Sequence, residues 1–353
     1  MRRLIVLFTL ALSGCASSGD RLARDVATIL DAYTAPGEPG ASVLVRHRGE
    51  ILFARGFGLA DLDANRAAES GTNYRLASVT KQFTAMASLL LVDDGVVRLD
   101  DPVSRWLDDL PPWGERVTIR HLLTHTSGVL DYEDLIPEQQ TEQVHDRDVL
   151  DILRRHDATS FEPGSRYRYS NSGYALLALV VESASRKTFP DFLRGRIFEP
   201  LGMKDTLAFV EGESTVRERA FGHSRKGAAW TRTDQSLTSA VLGDGGVYSS
   251  VLDLARWDAE LERPTLLSAE LLAMAFTPAT ETDVEGVSYG FGWKIGELAG
   301  RRTVFHTGST IGFRNALLRI PEERLTVIVL TNRNEGQPID QAKAIANLVL
   351  ESR

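Results

Sequence analysis

The stretch Ser78–Asp93, SVTKQFTAMASLLLVD, is apolar almost all the way round at helical period, through Val79, Phe83, Ala85, Met86, Ala87, Leu89, Leu90, Leu91 and Val92. A helix without a polar face is normally buried. The only charge between Ser78 and Val92 is Lys81. A lone lysine there is costly unless it is paired or its pKa falls. Ser78 stands three residues earlier, on the same helical face. Both belong to the expected first turn, where free N–H groups and the positive end of the helix dipole favour an oxyanion. A hydroxyl beside a desolvated amine is an arrangement that activates a nucleophile.

Working outward, the chain alternates helical and extended patterns. Asp20 to Tyr33 reads as an amphipathic helix, and Ala41 to Gly58 as a β-hairpin turning at Arg48-Gly49. Asp101-Pro102 suits the start of a short helix through Leu107. Helices are expected again from Thr118 to Leu123, Asp146 to His156 and Gly173 to Ser185. Glu211 to Gln235 is polar and reads as loop-rich. Beyond the glycine-rich Gly243–Ser250 a helix is expected over Val251–Leu261. Strand-like runs follow at Ser288–Glu297, Arg302–His306, Phe313–Ile320 and Leu325–Thr331, then a closing helix at Pro338–Leu350. A lone hairpin is only marginally stable, so the first hairpin is expected to pair with the last strands. The reading is an α+β fold. An antiparallel sheet from both chain ends (residues 20–75 and 236–353) is flanked by helices, with a mostly helical insert over residues 76–235.

The N-terminus reads as a targeting segment. Arg2 and Arg3 precede the apolar run Leu4–Leu12, too short to span a bilayer as a mature helix. Leu12-Ser13-Gly14-Cys15 then resembles a bacterial lipoprotein signal, with Cys15 as the lipidated first mature residue and residues 16–353 as the folded domain. The expectation is an exported, lipid-anchored protein of the cell envelope, facing the periplasm. Cys15 is the only cysteine, which excludes an internal disulfide. The net charge of −8 argues against a nucleic-acid partner. His121 and His125 are four apart, but Leu122 stands where a zinc protease helix carries glutamate, so no metal is expected.

Three short motifs occur in order: Ser78-Val79-Thr80-Lys81, Tyr169-Ser170-Asn171 and His306-Thr307-Gly308, about 90 and 135 residues apart. Each is weak alone and much more specific as an ordered set. With HLLTHTSG from His121, PGSRYRYSNSGYALLALVVE from Pro163, GDGGVYSSVLDLARW from Gly243 and YGFGW from Tyr289, the chain resembles the serine β-lactamase and penicillin-binding protein superfamily. Tyr169 in the second motif points to its class C-like branch, which also holds DD-peptidases, D-aminopeptidases and esterases.

The resemblance implies a β-lactamase/transpeptidase-like fold and acyl transfer to Ser78, on a small-molecule or peptide amide or ester, without a cofactor. Lys81 would take or relay the proton and Tyr169 would complete the relay. Asn171 would hold the substrate carbonyl or orient Lys81. His306, Thr307 and Gly308 would form an edge strand for the substrate, with the N–H groups of Ser78 and Ser309 as the oxyanion hole. His306 departs from the family's lysine and removes a fixed positive charge. A β-lactamase or D,D-carboxypeptidase proper, and a non-catalytic sensor or envelope scaffold, are the competing readings. The intact Ser78, Lys81 and Tyr169 argue against the scaffold. No Gly-x-Ser-x-Gly occurs, which argues against an α/β-hydrolase.

Two acyl chains suffice for stable anchoring. The Cys15→Ser variant should therefore move from the membrane to the soluble fraction on cell fractionation. Equal partition of variant and wild type would remove the lipid anchor.

Overall fold

The computed structural model describes residues 18–351, so Cys15 and the leader lie outside the described residues. Strands β1 (Ala41–His47) and β2 (Glu50–Phe57) form the expected hairpin. Its turn places Arg48 and Gly49 at φ 53° and 92°, the mirror-image turn that matches strand twist. Late in the chain come β3 (Thr280–Glu281), β4 (Ser288–Tyr289), β5 (Lys294–Leu298), β6 (Arg301–Thr310), β7 (Phe313–Ile320) and β8 (Leu325–Thr331). They join the hairpin in one antiparallel sheet of order β3-β4-β5-β6-β7-β8-β1-β2. Ala41 pairs with Thr331 and His47 with Leu325, so the two chain ends meet at the β1–β8 ladder.

Among the described residues, the helices that bear on the sheet and the central core are α1 (Ser18–Ile29), α2 (Lys81–Asp93), α3 (Asn171–Ser185), α4 (Val251–Glu262) and α5 (Pro338–Glu351). Side chains alternate between faces along a strand, and both faces are covered. Val43, Val45, Val327 and Val329 pack with Val26 of α1, with Leu30 just after it, and with Ile345 and Val349 of α5. Leu44, Ile328 and Leu330 face the opposite way, into the core shared with Val79 and Phe83. Burial on both faces is why β1 and β8 read as apolar runs. The apolar α2 runs through that second core, beside α3. Phe83 packs on Trp257 of α4, with centroids 4.7 Å apart, and Gln82 accepts the Trp257 indole N–H at 2.9 Å.

Several local expectations are corrected. The segment after Pro102 is only a 3₁₀ turn, Val103–Arg105, because the Asp101 carboxylate is spent on the Arg98 N–H and the Arg105 guanidinium. Within the loop-rich residues 211–235, His223–Lys226 and Ala229–Arg232 form a small hairpin. Its Lys226-Gly227 turn signal is legible, but four-residue polar strands give no periodicity. The run Ser288–Glu297 is broken at Gly290–Trp293 into β4 and β5. Gly292, at φ 77°, crosses the start of α2 there, where a Cβ would come within 2.7 Å of the Lys81 carbonyl.

Asp258 of α4 ties the helix to the sheet. Its carboxylate accepts from Arg46 at 2.6 Å, Arg319 at 2.6 Å and Thr326 at 2.7 Å, with all four residues buried. Removing it leaves two guanidinium groups without that partner in a low-dielectric interior. Breaking a buried pair costs about 3–5 kcal/mol. Asp258→Ala should lose stability on that scale in urea unfolding, and a loss below about 1 kcal/mol would count against this pairing.

Candidate active site

Ser78 lies just before α2, in a 3₁₀ turn over Ala77–Thr80. The preceding Ala77 has φ 50°, a left-handed conformation that costs a non-glycine residue about 1 kcal/mol or more. Tertiary contacts hold it there. The Leu76 N–H bonds the Val247 carbonyl at 2.8 Å, and the Leu76 carbonyl presses on β6 at Gly308. A Cβ on Gly308 would stand 2.0 Å from that carbonyl. Gly308 is therefore required by the turn that carries Ser78.

Lys81 is fully buried. Its Nζ donates to Asn171 Oδ1 at 2.8 Å, to the Asp244 carbonyl at 2.9 Å and to Ser78 Oγ at 3.1 Å. Two of these partners are carbonyl oxygens, which only accept. When the amine is neutral, two N–H groups can serve those carbonyls and the lone pair is left for the Ser78 hydroxyl. Burial lowers the Lys81 pKa to about 8, while Asp244, Asp131 and Glu133 pull it back up. Burial raises the Asp244 carboxyl to about 7, opposed by Lys81, so the two titrate together.

Tyr169 completes the cluster. Its phenol stands beside Ser78, and its ring centroid lies 4.9 Å from Lys81 Nζ. Burial pushes its phenol pKa up, so it stays protonated at neutral pH. The His125 ring packs on it at 4.3 Å. His125 Nδ1 accepts the Ser170 N–H at 3.2 Å, which fixes the entry to α3. His121 serves elsewhere, accepting the Thr118 N–H on its Nδ1 at the start of a short helix.

A cavity of about 40 Å³ opens between these groups, lined by Ser78, Asn171, Glu133, Asp244, Ser309 and Thr310. Ser78 and Ser309 thus flank one space. His306 does not line it. Its ring is buried, with Nδ1 donating to the Thr307 carbonyl at 2.7 Å and Nε2 meeting the Tyr289 hydroxyl at 3.0 Å. Both nitrogens are spent inside the fold, which corrects His306 as a substrate-binding group. Thr307 sits between His306 and Gly308, half-buried and paired with Ala316. The β5–β6 ladder ends at Phe305, so β6 lacks a β5 partner from His306 to Thr310. Arg75 also borders the cavity, but its guanidinium donates to Gln235 at 3.2 Å and to the Ser239 carbonyl at 2.7 Å.

Several contributors are not evident from motif reading. Asp131 accepts the Asn171 N–H at 2.8 Å, Glu133 accepts the Asn171 side-chain amide at 3.0 Å, and Tyr132 donates to Asp244 at 3.0 Å. Asp146 accepts from the Leu242 and Gly243 N–H groups at 2.8 and 3.0 Å, capping the turn that delivers the Asp244 carbonyl. Short polar loops carry no period. The one weak signal is that Asp131-Tyr132-Glu133 stands close behind HTSG in the chain.

Comparisons with known proteins agree on one lineage. The family model described as Beta-lactamase matches residues 26–351. Penicillin-binding protein 4* of Bacillus subtilis (strain 168) is 31% identical over 334 residues, covering 90% of this chain and 74% of that protein. The D-aminopeptidase of Brucella canis is 31% identical over 332 residues, and the match spans 88% of this chain but 60% of that enzyme. Among solved structures, the D-amino acid amidase of Ochrobactrum anthropi SV3, complexed with L-phenylalanine amide, superposes with a TM-score of 0.83. It is 26% identical, with 94% of this chain and 99% of that chain covered.

The Lys81 environment has a measurable consequence. Below pH 8 both folded and unfolded chains hold the proton, and the folded chain bears its desolvation. Between about 8 and the ordinary 10.5 the unfolded chain binds a proton that the folded chain does not, so folding stability rises with pH. Denaturation curves of the wild type should therefore gain on Lys81→Met across that window. A stability difference independent of pH would contradict it.

Proposed function

The chain belongs to the β-lactamase family and is a serine hydrolase, and from that premise we propose that it cleaves an amide or ester through an acyl-enzyme on Ser78. The observation that carries this reading is the contact of Ser78 Oγ with a buried amine whose other two partners can only accept. In acylation Ser78 Oγ bonds the carbonyl carbon as its proton passes to Lys81. The Ser78 and Ser309 N–H groups serve the oxyanion. A proton returns through Tyr169 to the leaving amine or alcohol as the carbon–leaving-group bond breaks. In deacylation a water loses its proton into the same relay, its oxygen bonds the acyl carbon, and Ser78 leaves with a proton. Lys81 is the base because the Tyr169 phenol holds its proton at neutral pH.

The substrate we favour is an amide carrying a free α-amino group. Glu133 and Asp244 line the cavity and Asp131 stands behind Asn171, a surrounding that suits a cation. The likeness to a D-aminopeptidase and a D-amino acid amidase supports the same class. A β-lactam carboxylate finds little here, since His306 is buried and neutral and the Arg75 guanidinium is engaged. We place the enzyme in the cell envelope on a Cys15 lipid anchor, on the strength of the signal-like N-terminus.

A hydrolysis panel tests the reading: D-amino acid amides, short p-nitrophenyl esters, D-Ala-D-Ala peptides and nitrocefin. The amides and esters should turn over, with kcat/KM rising as pH passes about 8 and Lys81 loses its proton. Nitrocefin should stay below a kcat/KM of about 10⁵ M⁻¹s⁻¹. Ser78→Ala should abolish turnover, Lys81→Ala should lose on the order of 10³-fold, and the double variant should be little worse than Ser78→Ala. If Ser78→Ala keeps more than about a tenth of the rate, the nucleophile lies elsewhere.

A further inference from the structure

The lone pair of Lys81 faces Ser78 only while Asn171 presents oxygen, not nitrogen, to the amine. An asparagine amide can turn over with almost no change of shape. Nothing in α2 prevents it from offering its NH₂ to a neutral Lys81. In that arrangement the lone pair accepts from Asn171 and is lost to the serine. What opposes the turn lies on the far side of the amide: Glu133 Oε1 accepts from Asn171 Nδ2 at 3.0 Å. A carboxylate has no proton to give, so the reverse orientation would set oxygen against oxygen there.

We propose that Glu133 is a positioning residue that locks the Asn171 amide with Oδ1 toward Lys81, so that the free base of Lys81 can address only Ser78. The inference rests on Lys81 acting as the base. The loop around Glu133 is built to hold this register. Asp131 Oδ2 accepts the Asn171 backbone N–H at 2.8 Å, and its Oδ1 accepts the Glu133 N–H at 3.2 Å. Tyr132 donates its hydroxyl to Asp244 and its N–H to Ser172 Oγ at 2.8 Å. Three consecutive residues thus grip the start of α3 and the turn behind Lys81. Glu133 itself is exposed and borders the cavity, so replacing it removes no core packing.

Glu133 also acts on Lys81 by charge, and the two effects separate. The groups acting electrostatically on Lys81 are the carboxylates of Asp244, Asp131 and Glu133, while Lys81 itself, added to burial, lowers the pKa of Lys294 and of the neutral His125 and His306 rings. Losing the Glu133 charge alone lowers the pH at which Lys81 becomes free base and leaves the high-pH plateau intact. Losing the lock lowers the plateau, because part of the enzyme then spends the lone pair on Asn171.

The test measures phosphonylation of Ser78 by an uncharged fluorophosphonate, as a saturating rate against pH. In this step the Ser78 oxygen bonds phosphorus, fluoride leaves and the serine proton passes to the base. The probe carries no ammonium, so Glu133 cannot act by binding it. Glu133→Gln offers the amide either a donor or an acceptor. Its plateau rate should fall about twofold or more, because both amide orientations are then satisfied from behind and at most about half of the enzyme keeps the lone pair for Ser78. The half-saturating concentration should not change, and the acidic limb should move to lower pH. The double variant Glu133→Gln with Asn171→Asp restores a side chain that can only accept from Lys81, with the introduced glutamine donating behind it. Its plateau should return to the wild-type rate, with the limb moved up by the new carboxylate. A Glu133→Gln plateau equal to wild type, or a double variant slower than Glu133→Gln, overturns the lock. Failure of the underlying reading looks different: Lys81→Met would then label at the wild-type rate.

Discussion

A primary amine held in a dry interior with three partners, two of which can only accept, is the constraint on which the rest of this molecule depends. Lys81 needs an apolar helix to desolvate it, and α2 supplies one buried on every side. It needs a carbonyl on one flank, and the turn at Leu242–Gly245 supplies Asp244, capped by Asp146. It needs a second carbonyl that will not turn over, and the start of α3 supplies Asn171. The third direction is left to Ser78. Each piece comes from a different part of the chain, so the site exists only once those parts have packed together. The β1–β8 ladder, the Asp258 ion cluster and the two tight glycine contacts at Gly292 and Gly308 serve that assembly.

Charge around Lys81 is divided in a way that suits a base. Burial removes the proton, and three carboxylates restore part of the preference for it. The balance lies near pH 8, well below an exposed lysine. Tyr169, equally desolvated but without a cation strong enough to ionise it, keeps its proton. One group can therefore accept while the other can donate, the division that acyl transfer asks of a relay.

The sheet built from both chain ends and the buried α2 are legible in the sequence because alternation and all-round apolarity leave a periodic trace. So is the nearness of Ser78 and Lys81, which three-residue spacing fixes on any helical turn. What escapes has physical reasons. Asp244 acts on Lys81 through its main-chain oxygen, which every residue type possesses. Asp131 and Glu133 lie in a short polar loop whose course is set by tertiary contacts. Gly308 is needed also by a neighbour far away in the chain, the Leu76 carbonyl, which no motif reveals. The same motif puts His306 in the pocket, but Tyr289 turns its ring into the fold.

The most direct measurement is the titration of Lys81 itself. Side-chain ¹³C and ¹⁵N resonances of labelled lysine, assigned by their loss in Lys81→Met, report the protonation of this one amine. The midpoint expected is about 8, moving when Asp244 is replaced by asparagine. A midpoint at the ordinary 10.5 would mean that the amine stays charged wherever the enzyme works, and would contradict Lys81 as the group that takes the serine proton.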